Sequence, residues 1–254
     1  NYIVYGNDEI WITELNEDLT APKKDGLHRL LVSDHKNPEL GYEGSHIQKI
    51  NGYYYIFLVH SLRDRWMRTE ACFYSDSLEG EFTGGDVLCD DRGYCGQGVA
   101  QGGIVDTPDG KWYAMLFQDS GAVGRIPILL PVTWKDHFPV FGQNGHVPEE
   151  IEVHSTRPGY IYQPLVGSDD FCNGLLPRWQ FNHDPDPRYY HLDALQGTYT
   201  ITTREVCTEL TQAVNTLTQR MSYPSCAAEV TVDASALKEG DIAGLCALQS
   251  CYAA

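Results

Sequence analysis

Five positions combine a chemically capable side chain with suggestive neighbours: Glu43, His46, Trp66, Gln101 and Arg125. Glu43 sits between Tyr42 and Gly44 at the head of a run that reads as a β-strand, where a carboxyl group can donate or accept a proton. Partial burial there would raise its pKa, keep it protonated near neutral pH and suit it to act as a general acid. On local sequence alone, a solvated turn glutamate is the commoner outcome. His46 lies three residues on, and strand alternation turns its side chain away from that of Glu43 unless the strand is bulged; a structural histidine is the plainer reading. Arg125, after Gly124, offers a planar fork of donors to hydroxyl groups or to a carboxylate, or else a surface ion pair. The Gln101 amide oxygen can bind calcium or hydrogen-bond a water. Trp66, in RDRWMRTE, could stack on a flat apolar ligand face, although most aromatics are core. Around it, Arg63, Asp64 and Arg65 read as a charged surface turn.

The elements that must position these groups are short strands. The chain opens with NYIVYGNDEIWITEL, two β-rich runs around the turn GND. A second unit follows as SHIQKI, the turn NG, YYYIFLVH, RTEACFYSDS and EFTGGDVLCDD. A third runs QGGIVDT, PDG, KWYAMLFQD and RIPILLPVTW. Strand and tight turn recurring about every fifty residues is the grammar of propeller blades, about two and a half of them here. Abundant glycine, proline and tyrosine with no long amphipathic repeat agree with an all-β class. Past FGQNGHVPEEIEV the texture changes, and a boundary is expected near residue 165, giving domains 1–165 and 166–254. In the second, TYTITTREV, NTLTQRMSY, CAAEVTVDAS and AGLCALQSCY alternate as half-buried strands of an antiparallel sandwich do. Both ends fall in strand-like sequence, so the chain reads as a segment of a longer protein.

A net charge of −17 disfavours nucleic acid and anionic membranes as partners and suits a neutral polymer such as a polysaccharide. No apolar run approaches the roughly twenty residues needed to cross a bilayer as a helix. The eight cysteines lack paired CxxC spacing. Cys72, Cys246 and Cys251 lie in apolar runs as buried thiols would, and Cys89 and Cys95 are the pair to test for a bridge.

YEGSHIQKINGYYYIFLVH resembles the blade of glycoside hydrolase family 43 in which Glu-Gly precedes a His, a Lys and NGYYY. GVAQGGIVDTPDGKWYAMLFQDSGAVGRIPILLPVTW is similar to the family's last blade, with a Gly-rich strand, the VDTPDG turn and a later Gly-Arg that faces substrate. WQFNHDPDP, NTLTQR and GDIAGLCALQS resemble the carboxy-terminal β-sandwich of the family's β-xylosidase and α-L-arabinofuranosidase branch. The resemblance implies the later blades of a five-bladed β-propeller followed by part of a concanavalin-like β-sandwich. It also implies an exo-acting, inverting hydrolase of α-L-arabinofuranosidic or β-D-xylosidic bonds in plant hemicellulose or pectin side chains, with arabinofuranosides favoured. Glu43 would be the acid, and Arg125, Gln101, His46 and Trp66 would meet the pentose-containing oligosaccharide or polysaccharide. Inversion requires a second carboxylate roughly 6.5–9.5 Å from the acid. The family's base is an Asp of the first blade, and a further Asp tunes the acid; neither has a matching position here, so the first blades are expected from the parent chain and this segment alone is expected to be inactive. Gln101 stands where many members carry a His that supports a metal ion. No cofactor is required, and a structural calcium is the one metal the resemblance raises. A secreted or periplasmic location is favoured, and a non-catalytic carbohydrate-binding propeller is the alternative.

Overall fold

In the computed structural model, which describes residues 1–182, 184–222, 225–249 and 251–253, the backbone groups into two units, Asn1–His154 and Ser155–Ala254. The first unit contains three antiparallel meanders. Strands β1 (Tyr2–Tyr5), β2 (Glu9–Glu14) and β3 (His28–Ser33) make one sheet. A second is built from β4 (Glu43–Ile50), β5 (Tyr53–Ser61), β6 (Arg68–Ser75) and β7 (Thr83–Leu88). The third comprises β8 (Ala100–Asp106), β9 (Trp112–Asp119), β10 (Arg125–Lys135) and β11 (Phe138–Phe141). Strands β3 and β11 extend the blade pattern beyond the runs read from the sequence. The β4–β5 hairpin closes on Asn51 and Gly52, both at positive φ, the conformation that matches the twist of two-residue hairpins.

Strand β5 shows how the sheets stack. Its side chains alternate, so Tyr55 and Phe57 pack with Val99, Ile104, Leu116 and Phe141 of the third sheet. Ile56 and Leu58 face the other way, onto Ile10, Ile12, Leu31 and Val32 of the first sheet. A strand buried on both faces has no polar side to show, which accounts for the unbroken apolar run YYYIFLVH.

Pairing also sets which residues share an end. Glu43 lies opposite Val59, Ser61 opposite Arg68, Glu70 opposite Leu88, Ala100 opposite Phe117 and Asp119 opposite Arg125. The head of β4 and the β5–β6, β7–β8 and β9–β10 connections therefore gather at one end of the blades.

The second unit is built on smaller ladders: β12 (Gln180–Phe181) with β15 (Leu217–Thr218), β13 (Tyr190–Asp193) with β14 (Thr198–Ile201), and β16 (Ala247–Gln249) with β17 (Cys251–Ala253). Phe171, Trp179, Tyr190 and Tyr199 form its aromatic cluster. The expected strands are shorter than their alternation suggested, and CAAEVTVDAS forms none. Alternation supplies a face to bury, but a strand also needs a neighbour for its N–H and C=O groups. Val230 and Val232 are accordingly exposed.

Candidate active site

Glu43 begins β4, half-buried, and its Oε2 accepts a hydrogen bond from Asn7 Nδ2 at 3.1 Å. Asn7 belongs to the GND turn of the first sheet, which is clipped alongside by the Asp8 N–H donating to the Tyr42 carbonyl at 2.9 Å. The β4–β5 register shifts between Glu43 and His46, and Gly44 takes φ +63° there. That is the bulge on which the orientation of His46 turned. His46 is exposed, and a Cβ added at Gly103 would stand 3.7 Å from its Nδ1.

Strand β8 carries a matching bulge between Ala100 and Gly103, with Gln101 at φ +68°. Its side chain lies directly against Gly44: a Cβ there would come within 2.4 Å of Gln101 Nε2. Gly44 is thus required twice, for its left-handed backbone and for the missing side chain.

Beneath this contact lies a pair that the sequence reading did not single out. Arg68, at the start of β6 and only 4% exposed, donates through Nη1 to Asp119 Oδ2 at 2.7 Å and through Nη2 to Gln101 Oε1 at 3.5 Å. Glu70, two residues on and fully buried, accepts the Gln101 backbone N–H on Oε2 at 2.6 Å, while its Oε1 has no hydrogen-bond partner. Burial pushes the Glu70 carboxyl well above its ordinary range, outweighing the Gln101 hydrogen bond and the Arg68 charge. The signal was present in TEACFYS, where a carboxylate interrupts an otherwise apolar strand.

Arg125 joins the same group through Asp119, its Nε lying 3.2 Å from Oδ1. Both Arg68 and Arg125 stand over the Phe117 ring, at 4.7 and 4.5 Å. The fork of Arg125 is otherwise exposed, leaving donors free for a ligand. Glu43, Gln101 and Arg125 are therefore brought together through Arg68 and Asp119, two cations balanced by two carboxylates.

Trp66, 40% exposed, sits at the same end on the β5–β6 connection, against Gly96, without a ring contact among the described residues. Its neighbours need one correction. Asp64 pairs with Arg65 at the surface as expected, but Arg63 reaches the buried Asp34, which also receives Asn37 and faces His60. Arg63 ties the first sheet to the second because Asp34, just past β3, offers an acceptor that the local turn cannot reveal. Cys89 and Cys95 are free exposed thiols, Cys72 is buried, Cys246 is half-buried, and the Cys251 side chain lies outside the described residues.

The donor set does not fit a resident calcium, which takes six to eight oxygens. Gln101 turns its carbonyl oxygen toward a guanidinium, and no group of three His, Cys, Asp or Glu among the described residues is arranged for a metal.

Comparison with known proteins places this geometry. The family model for glycosyl hydrolases family 43 matches residues 1–139, and the β-xylosidase C-terminal concanavalin A-like domain matches residues 168–254. A bifunctional GH43-CE structure from Bacteroides eggerthii superposes with TM-score 0.73 and 41% identity, covering 88% of this chain and 29% of that one. A β-xylosidase of Formosa agariphila is 28% identical over 180 residues, 62% of this chain and 30% of its own length. A non-reducing end α-L-arabinofuranosidase of Bacteroides ovatus is 26% identical over 170 residues, 61% of this chain and 31% of its own. The chain spans less than a third of each of these proteins. With more than half of its residues matched by the catalytic-domain model and blades of the expected kind, the chain belongs to glycosyl hydrolase family 43.

Proposed function

We propose that this chain is the later part of an exo-acting, inverting glycosidase that removes α-L-arabinofuranosyl or β-D-xylosyl units from plant polysaccharides. Residues 1–165 belong to the propeller in this reading and 166–254 to the sandwich, and the general base comes from blades that precede the segment in the parent protein. Glu43 is the general acid, Arg125 holds substrate hydroxyls, and Gln101, His46 and Trp66 complete the sugar pocket.

One observation carries the reading: a half-buried carboxyl at the head of an inner strand, held by Asn7 and flanked by Gln101 and the Arg68–Asp119–Arg125 group. Departure of the sugar's leaving oxygen builds negative charge that a proton must meet, and a positioned acid supplies it. The cations nearby steady developing and resting negative charge without being spent in the reaction.

The test uses the full-length protein with nitrophenyl β-D-xyloside and nitrophenyl α-L-arabinofuranoside. Turnover of one or both, falling about 10²-fold or more in Glu43→Gln, is the expected result. No release from either sugar by the unaltered protein, with binding of the free pentose retained, would leave a carbohydrate-binding propeller instead. The segment by itself, lacking the base, is expected to release nothing.

A further inference from the structure

We infer that Glu70 is a positioning residue for the general acid: its buried carboxyl pins the bulge that lays the Gln101 side chain across Gly44, beside Glu43. The inference rests on the reading of Glu43 as the acid.

The bulge is not a conformation that Gln101 adopts freely. Left-handed backbone disfavours a residue with a side chain, and such outliers persist where surrounding contacts over-determine them. Here the contacts come from both sides. The Gln101 N–H is held from below by Glu70 Oε2 at 2.6 Å, and its amide oxygen is approached by Arg68 Nη2 at 3.5 Å. The amide nitrogen then has one resting place, against the bare Cα of Gly44. Gly44 is the residue whose own bulge aims Glu43, so the two strained strands brace each other at the peptide that carries the acid.

A core acceptor chosen for packing alone would be hard to explain at this position. Glu70 is fully buried, one of its oxygens is bare, and it sits among Ala71, Cys72 and Leu88. Burying a carboxyl with half of its bonding capacity unused is costly, and a hydrophobic residue in an unbulged strand would avoid that cost. Burial keeps the group uncharged, which removes the heaviest part of the penalty and leaves a carbonyl-like acceptor for the Gln101 N–H.

An uncharged acceptor has a close mimic in glutamine, and this gives the test its rescue arm. In the full-length protein, Glu70→Leu, Glu70→Gln and Gln101→Ala are assayed on nitrophenyl and methyl glycosides of the pentose that the enzyme turns over. Nitrophenolate leaves without much help, whereas methanol needs its proton, so a displaced acid shows on the methyl glycoside. Glu70→Leu is expected to lose about 10²-fold in kcat on the methyl glycoside and less than about 10-fold on the nitrophenyl one, with KM little changed. Glu70→Gln should restore most of the loss.

Equal losses on the two substrates, a change confined to KM, or a Glu70→Gln variant no better than Glu70→Leu would overturn the inference. Should Glu70→Leu fail to fold, Gln101→Ala decides, because it keeps the backbone N–H bonded to Glu70 while removing the brace; it should show the same selectivity, and equal losses would again overturn the proposal. Glu43→Gln serves as the reference. If it too reduces both substrates equally, the assignment of the acid is what fails; if it is selective while the Glu70 and Gln101 variants are not, only the bracing role falls.

Discussion

Two arginine–aspartate pairs, one in each unit, have the same N–O distance of 2.7 Å and very different surroundings. Arg68, paired with Asp119, is 4% exposed among the blades, whereas Arg188, paired with Asp186, is 75% exposed. A guanidinium removed from water depends on its partner, since losing that partner strands a charge in a medium of low polarity. An exposed guanidinium simply returns to water. Distance alone therefore says little about what a pair does; the packing around it decides.

The same contrast separates the two ways in which polar groups are used here. In the first unit Arg68, Glu70 and Gln101 sit inside stacked sheets and fix a bulge. In the second, Asn215 is the buried polar hub: it accepts the Asp186 N–H and donates to the Asp186 carbonyl, and its own carbonyl receives Tyr199 Oη, tying short ladders together.

The largest expected effect comes from Gly44→Ala, which puts a Cβ within 2.4 Å of Gln101 Nε2 and forces a side chain onto φ +63°. Turnover by the full-length protein should fall by about 10²-fold or more, since the two bulges cannot both persist; near-normal rates would mean that the brace does not position the acid. Next comes the pair comparison itself. Asp119→Ala strands Arg68 and should cost about 3 kcal/mol in denaturant unfolding, while Arg188→Ala should move the midpoint hardly at all. Similar shifts for the two variants would break the argument from burial.

The smallest effect concerns pH. The hydrogen bond from Arg188 holds Asp186 down at about 2, against an ordinary value of 3.8 and in spite of its partial desolvation. A carboxyl depressed on folding adds stability that is complete above its unfolded pKa and is lost as pH falls through the folded one. The contribution should therefore fade between about 4 and about 2. Asp186→Asn should flatten that part of the acid limb, followed by Trp179 fluorescence, and an unchanged limb would show that the pair is not linked to folding.

Much of the first unit was legible in its sequence. Asn51-Gly52 and the TPDG turn are local signals, and strand alternation needs only the strand itself to be recognised. Glu43 at a strand head, and Arg125 after a glycine, could be named for the same reason. Four things escaped the reading. Strand β3 was passed over although HRLLVS carries an apolar run. Arg63 looked like a surface charge because Asp34 lies twenty-nine residues away. Glu70 required its partner Gln101, thirty-one residues on, before it meant anything. CAAEVTVDAS alternates as well as any strand but gains no ladder.

Turns, alternation and the residue at the head of each strand are properties of a few consecutive side chains, and the sequence by itself determined them. Which carboxyl is stripped of water, which arginine cannot lose its partner and which alternating run becomes a strand were decided only by tertiary structure. Those outcomes depend on what lies across the sheet or in the next one, and burial and hydrogen-bond pairing are made between segments far apart in the chain.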